Sequence, residues 1–207
     1  YEYNKIIEAI ELGLVHTNKI ALLGAQVSAH PDFNKIMKYM RNKIESGVNI
    51  ELGISSLRTD SVTPELIQTL VLGGQKNSTI AIEAASDRLR KFINKNLNEE
   101  QILNAVRISR ENGLRGLKIY SMIGIPNETQ EDIDELEAFV REVRFERLGV
   151  FPYSEEEGTY SAEKLTDDVA NEDKERRAAR IMQIQEQISL ENNLKRVGQT
   201  MRVIVDG

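Results

Sequence analysis

The chain has 207 residues with 40% apolar, 29% charged and 5% aromatic side chains, proportions that suit one ordinary globular domain with or without an appendage and exclude disordered and fibrous classes. It contains no cysteine, which removes disulfides, thiolate nucleophiles and every cysteine-held metal or iron–sulfur site from these residues. The net charge of -6 argues against long-range attraction of the whole domain to nucleic acid or anionic membrane, and with no apolar run near the ~18 residues of a membrane span and no leader-type opening, a cytoplasmic protein is expected.

Short β-type runs alternate with segments of helical period at roughly 30-residue spacing, the length of a βαβ unit, so a parallel sheet is expected. Residues 3–14 carry the stripe Ile6, Ile7, Ile10 and Leu14 of a helix ending near Gly13. A strand over 19–24 precedes a helix over 32–44, whose stripe is Phe33, Ile36, Met37, Met40 and Ile44. A second strand covers 48–54, and Thr63 caps a helix with Pro64 in its first turn. The third strand is 78–82. Asn98 opens a helix striped by Ile102, Ala105, Val106 and Ser109 and stopped at Gly113; the fourth strand is 117–123. Thr129 caps a helix whose first turn holds Glu131 and Asp132, where the macrodipole favours acids, and a fifth strand covers 147–151. The character then changes: an acidic turn and a charged segment lead to one long amphipathic helix, 172–194, with Ala178, Ile181, Ile184 and Ile188 on one face and arginines on the other. Residues 201–205 alternate as a strand. The expected domains are 1–160 as a (β/α) unit, 161–197 as linker and helix, and 198–207 as the start of a small β domain.

Five βα units either close into a barrel or open into a doubly wound sheet. The lack of a Gly-x-Gly-x-x-Gly or P-loop pattern, with polar residues just past each strand, favours a partial TIM-type barrel, whose ligands gather at the strand C-termini. That rule selects Gln26, Ser28 and His30; Ser55, Ser56, Arg58 and Asp60; Glu83, Ser86 and Arg88; Gly124, Pro126 and Glu128; Pro152, Tyr153 and Ser154. Ser28, Asp60 and Ser86 are equally well read as helix caps or turn residues. Glu83, at a half-buried strand end, needs a cation such as Arg58, Arg88 or Lys118, and function and structural pairing balance there. His16 and His30 are too far apart for a metal triad, and a Glu83/Glu128 carboxylate pair at the mouth is a minor alternative.

Particular strings carry more. Phe145-Glu-Arg-Leu-Gly-Val-Phe-Pro-Tyr-Ser-Glu-Glu-Glu-Gly-Thr159 resembles the end of the radical S-adenosylmethionine (SAM) barrel of the methylthiotransferases, especially the type that modifies an aspartate of a small-subunit ribosomal protein. The helix from Arg176 to Gly198 is similar to that family's connection into a small RNA- or protein-binding β domain. Upstream, Leu22-Leu-Gly-Ala-Gln-Val-Ser-Ala-His-Pro31, Ser55-Ser-Leu-Arg-Thr-Asp60 and Ala81-Ile-Glu-Ala-Ala-Ser-Asp-Arg-Leu-Arg90 with Ile93-Asn-Lys-Asn96 look more like radical SAM enzymes with a cobalamin-binding domain. Ile119-Tyr-Ser-Met-Ile-Gly-Ile-Pro-Asn-Glu-Thr129 resembles both groups, and the seam between signatures lies near Phe139–Phe145.

The resemblance implies a partial barrel with a long C-terminal helix and the first strand of a truncated β domain. It implies SAM and a [4Fe-4S] cluster in the complete enzyme, the cluster on a three-cysteine loop that this chain lacks, so that the chain alone is inactive. Gln26 and Ser28 fall near the cofactor's methionyl end; Glu83 and Ser86 near its ribose or methionyl group, with Lys95 at a basic position; Ile123, Gly124 and Glu128 in the adenine-side motif; and Phe151 to Tyr153 on the backbone edge that reads adenine. Ser55 and Arg58 complete the expected mouth. Asn127 replaces the family's usual glycine, which either tightens the turn or blocks ligand. The implied substrate is a ribosomal protein or RNA. The alternatives are a cobalamin-dependent methyltransferase-like enzyme, or a non-catalytic or engineered barrel, and the edges left unpaired invite self-association. The arginines Arg176, Arg177 and Arg180 are expected to stay solvated, facing either solvent or an acidic partner.

Overall fold

The computed structural model describes residues 1–24, 27–95, 97–145 and 147–200, with Tyr160 described by its backbone only. Gln26 and the strand expected over 201–205 lie outside these residues. Five strands, β1 (Lys19–Leu22), β2 (Glu51–Ile54), β3 (Asn77–Glu83), β4 (Gly116–Ile123) and β5 (Arg147–Pro152), alternate with helices. The helices are α1 (Tyr3–Leu14), α2 (Phe33–Glu45), α3 (Pro64–Leu72), α4 (Asp87–Phe92), α5 (Glu99–Glu111), α6 (Gln130–Val143), α7 (Tyr160–Lys164) and α8 (Asn171–Leu194). The expected caps form: Thr63 accepts from the Leu66 N–H, and both Asn98 with Gln101 and Thr129 with Asp132 make reciprocal capping boxes. α4 and α7 were not legible as helices, since one or two turns are too short for an apolar stripe to register; each relies instead on a hydroxyl cap, Ser86 or Thr159.

All strand pairings are parallel. β1 pairs β2 and β3-β4-β5 form a second run, in chain order. Just past β2, Leu57 bridges to Ile80 of β3, its N–H donating to the Thr79 carbonyl at 2.9 Å. A doubly wound sheet reverses its strand order at a switch point and buries both faces. Here the order never reverses, and burial alternates along each strand: Leu52 and Ile54, Ile80 and Ile82, Ile119, Ser121 and Ile123, and Leu148 and Val150 are buried, while their neighbours are half-buried or exposed. One face carries the core and the other is open, as in the wall of a barrel. Among the described residues the sheet does not close, consistent with the partial barrel expected from sequence: β1 and β5 end the two runs, and the architecture is an open parallel arc.

The core runs without a break from Ile10 of α1 through Met40, Ile67, Ile82, Ile119 and Leu136 to Ile188 of α8. α8 presents positions 174, 178, 181, 185 and 188 inward, and its Gln185 amide donates to the Phe145 carbonyl at 2.8 Å. Among the described residues no helix is long and apolar enough to cross a membrane.

Candidate functional site

The strand register sorts the open face into layers. On the β1-β2 run Lys19 and Glu51 form a 3.6 Å ion pair, and on the β3-β4-β5 run the register places Thr79, Lys118 and Arg147 side by side. Two residues further along, Ala21 stands beside Gly53 on the first run, and Ala81 and Gly149 flank Tyr120 on the second, so small residues leave room on both. At the C-terminal mouth stand Ser55, Glu83, Met122 and Phe151.

Glu83 is the unusual member. It ends β3 at a register shift opposite Ser121, with φ at 69°, a left-handed conformation that costs a side-chain-bearing residue roughly 1–2 kcal/mol. Such strain persists only where the surroundings impose it, and it aims the side chain across the mouth. Its carboxylate pairs with Lys95 at 3.1 Å, with both side chains partly open to solvent. Lys95 was not among the three cations expected to pair with Glu83. The loop return accounts for it: two residues past the end of α4 Asn94 is also left-handed, at φ 60°, and the Lys95 N–H caps back onto the Arg90 carbonyl. Arg58 sits nearby in a bidentate pair with Asp60; that pairing raises the guanidinium's pKa and holds the Asp60 carboxyl below its ordinary range, and Glu83 adds to the field at Arg58.

The other half of the mouth is the turn after β4. Gly124 has φ 77° and Asn127 φ 67°; asparagine is among the few residues with a side chain that tolerate this region, which explains how it can hold this turn. The Asn127 N–H donates to Asp168 at 2.7 Å, and its carbonyl accepts from Arg88 at 2.7 Å. Arg88 also pairs with Asp132, which accepts the Ser86 hydroxyl and the Thr129 N–H. Burial alone would raise the Asp132 pKa, but the hydrogen bonds from Arg88, Ser86 and Thr129 outweigh it and hold the carboxyl below its usual value.

Two expected ligand groups are committed elsewhere. Ser86 is 1% exposed and caps α4 while donating to Asp132. Glu128 does not project into the mouth: its side chain is fully buried, accepting from the Gly124 N–H at 2.8 Å and from Arg177 at 2.8 Å. Burial pushes its pKa up against those two donors. A carboxylate pair with Glu83 at the mouth is therefore not formed. The same contact corrects the reading of Arg177, whose side chain is nearly buried rather than solvated, while Arg180 is paired with Glu137 and Arg176 with Asp173. Ile123 and Tyr153 meet through the backbone, the Tyr153 N–H donating to the Ile123 carbonyl at 2.7 Å. Ser28 lies in the short 3-10 turn Val27–Ala29, half-buried. The structure thus brings Ser55, Arg58, Glu83 and Lys95 to one side of the mouth and Ile123, Gly124, Phe151 and Tyr153 to the other.

Sequence reasoning missed Lys174. Its side chain is 2% exposed; its ammonium pairs with Asp167 and donates to the Tyr153 carbonyl at 3.3 Å, 5.2 Å from the centre of that ring. The signal was present, because Lys174 lies four residues before Ala178 on the inward stripe.

Among the described residues no group of His, Cys, Asp and Glu side chains could hold a metal ion, and without cysteine the chain offers no thiolates to an iron–sulfur cluster. The cluster does not fit these residues. SAM fits better: the Glu83 carboxylate and the Lys95 ammonium match the two charges of an amino-acid end, and the small middle layer leaves space in front of the strands.

A family model for the radical SAM superfamily matches residues 2–140. The ribosomal protein uS12 methylthiotransferase RimO of Bacteroides thetaiotaomicron is 39% identical over 133 residues, covering 63% of this chain and 30% of that protein. The RimO of Thermoanaerobacter sp. is 35% identical over 150 residues, 72% of this chain and 34% of that one. The chain spans about a third of the length of these relatives. Among solved structures, the radical SAM enzyme coproporphyrinogen III oxidase (HemN) from Escherichia coli superposes with a TM-score of 0.67 at 18% identity, over 89% of this chain and 46% of that one. The methyltransferase TsrM from Kitasatospora setae gives 0.60 at 12% identity, over 73% and 31%. These two likenesses establish the fold alone. The family match extends over well more than half of the residues, and the chain belongs to the radical SAM superfamily.

Proposed function

We propose that this chain is the SAM-binding portion of a methylthiotransferase-type radical enzyme acting on a ribosomal protein or RNA, with its cluster held by cysteines that are not among these residues. The observation that carries the reading is Glu83, strained at the end of β3 and paired with Lys95 at the open mouth. In this role Glu83 accepts the ammonium of the methionyl end and Lys95 holds its carboxylate, with Arg58 adding positive field. The backbone at Ile123–Gly124 and Phe151–Tyr153 takes the adenine side, and Ser55 completes the polar rim. When bound, SAM supplies the radical and methyl-transfer chemistry of the family. The RimO relatives support the methylthiotransferase assignment and the macromolecular substrate.

Calorimetry of the 207-residue chain with SAM and S-adenosylhomocysteine tests the reading. Binding by the wild type that weakens at least tenfold in Glu83→Ala supports it; equal affinity in both proteins contradicts it. A second reading, a binding module with no chemistry of its own, is favoured by the absence of cysteine. Anaerobic reconstitution with iron and sulfide separates the two ideas from a third, since a stoichiometric cluster formed on this chain alone would overturn both.

A further inference from the structure

The N-terminal turns of α8 grip both strand ends that form the adenine side of the mouth, through two residues one helical turn apart. Lys174 holds the end of β5: its ammonium donates to the Tyr153 carbonyl at 3.3 Å and is neutralised by Asp167. Its stem lies against the turn after β4 so closely that a Cβ on Gly124 would fall 2.1 Å from Lys174 Cγ. Arg177 holds the other end of that turn, donating to the Glu128 carbonyl at 3.2 Å and to its carboxylate at 2.8 Å, while the same carboxylate oxygen accepts the Gly124 N–H. Asp168, just before the helix, takes the Asn127 N–H. Every polar link therefore ends on the backbone, or one hydrogen bond from the backbone, of residues 124–128 and 153.

Packing does not account for this arrangement. Position 174 lies on the inward stripe with Ala178, Ile181 and Ile188, where an apolar side chain would bury itself without the desolvation cost of an ammonium. A buried charge adds direction instead, fixing where one carbonyl lies and pressing one turn into a single conformation. We infer that Lys174 is a positioning residue which, with Arg177, sets the backbone edge that distinguishes adenine from other bases, so that base selectivity at the mouth is governed by α8. This inference rests on the SAM-site reading above.

The test compares S-adenosylhomocysteine with S-inosylhomocysteine, in which the 6-amino group is replaced by oxygen, by calorimetry on the full chain. The wild type is expected to prefer the adenosyl compound by about tenfold, a difference of about 1.4 kcal/mol. Lys174→Met keeps the stem and removes the ammonium, and its preference should fall to within twofold of unity. Asp167→Asn, which leaves the lysine in place, should give an intermediate ratio and provides the measurement if the methionine variant does not fold. Loss of stability by itself would not move this ratio. A folded Lys174→Met or Asp167→Asn protein with the wild-type ratio overturns the inference and leaves the site reading standing. A wild type that binds neither compound overturns the site reading, and the inference with it.

Discussion

Substituting Gly124 by alanine tests whether the turn after β4 and α8 are as tightly joined as the geometry indicates. Two costs add. At φ 77° a Cβ is strained by roughly 1–2 kcal/mol. The new methyl would also lie 2.1 Å, 2.8 Å and 2.9 Å from Cγ, Cδ and Cβ of Lys174, so the lysine must swing away from Asp167 and the Tyr153 carbonyl, and losing charge-assisted hydrogen bonds at a buried site costs about 1.5–3 kcal/mol. The sum is about 2.5–5 kcal/mol, a large part of the ~5–15 kcal/mol stability of an ordinary domain. Urea unfolding followed by far-UV circular dichroism measures it. The diagnostic is a double-mutant cycle. In a Lys174→Ala background the Cγ and Cδ contacts vanish and only the Cβ contact at 2.9 Å remains, so Gly124→Ala should cost less there by at least ~1 kcal/mol. Additive costs, or a Gly124→Ala loss below ~1 kcal/mol, would refute the reasoning.

Further outcomes follow from individual contacts. Asp132→Asn should lower stability at pH 7 by about 2–3 kcal/mol, because Arg88, Ser86 and Thr129 lose an ionised acceptor. The native Asp132 carboxyl sits below its unfolded value of about 3.9, so its contribution is present above that pH and lost as pH falls through the lower folded value; acid unfolding curves of the variant should lack this component. Gln185→Leu strands the Phe145 carbonyl under α8, and a loss of about 1–3 kcal/mol is expected in the same urea assay. Asn127→Ala, at φ 67°, should cost about 1 kcal/mol while Asn127→Gly costs less, and the reverse order would count against a left-handed turn there.

Much of the frame was legible from periodicity and capping chemistry. The stripe Phe33, Ile36, Met37 and Met40 is buried as expected, and the hydroxyl and amide caps at Thr63, Asn98 and Thr129 open α3, α5 and α6. The division of the strands into the runs β1-β2 and β3-β4-β5 was not legible, because strand pairing is a long-range outcome no local pattern encodes. The site was half legible. Strand ends gave the candidate residues, but not which way they face: Glu128 and Ser86 look identical in sequence to groups that meet ligand, and only the packing of α8 and the cap of α4 turns them inward. Lys174 and Gln185 were hidden for the opposite reason. Both are polar residues on an apolar stripe, and averaging hydropathy along the helix assigns them to solvent although the 4-3-4-3 spacing places them inside.

The central claim, that the strand-end mouth of this radical SAM chain holds an adenosyl cofactor between Glu83 and Gly124, is tested most directly by titrating ¹⁵N-labelled protein with S-adenosylhomocysteine and following backbone amide shifts. The account predicts saturable perturbations at Ser55, Glu83, Lys95, Gly124, Phe151 and Tyr153, with the outer surfaces of α2 and α5 unchanged. Saturable perturbations confined to the helical surface, or none at the mouth at millimolar ligand, would contradict it.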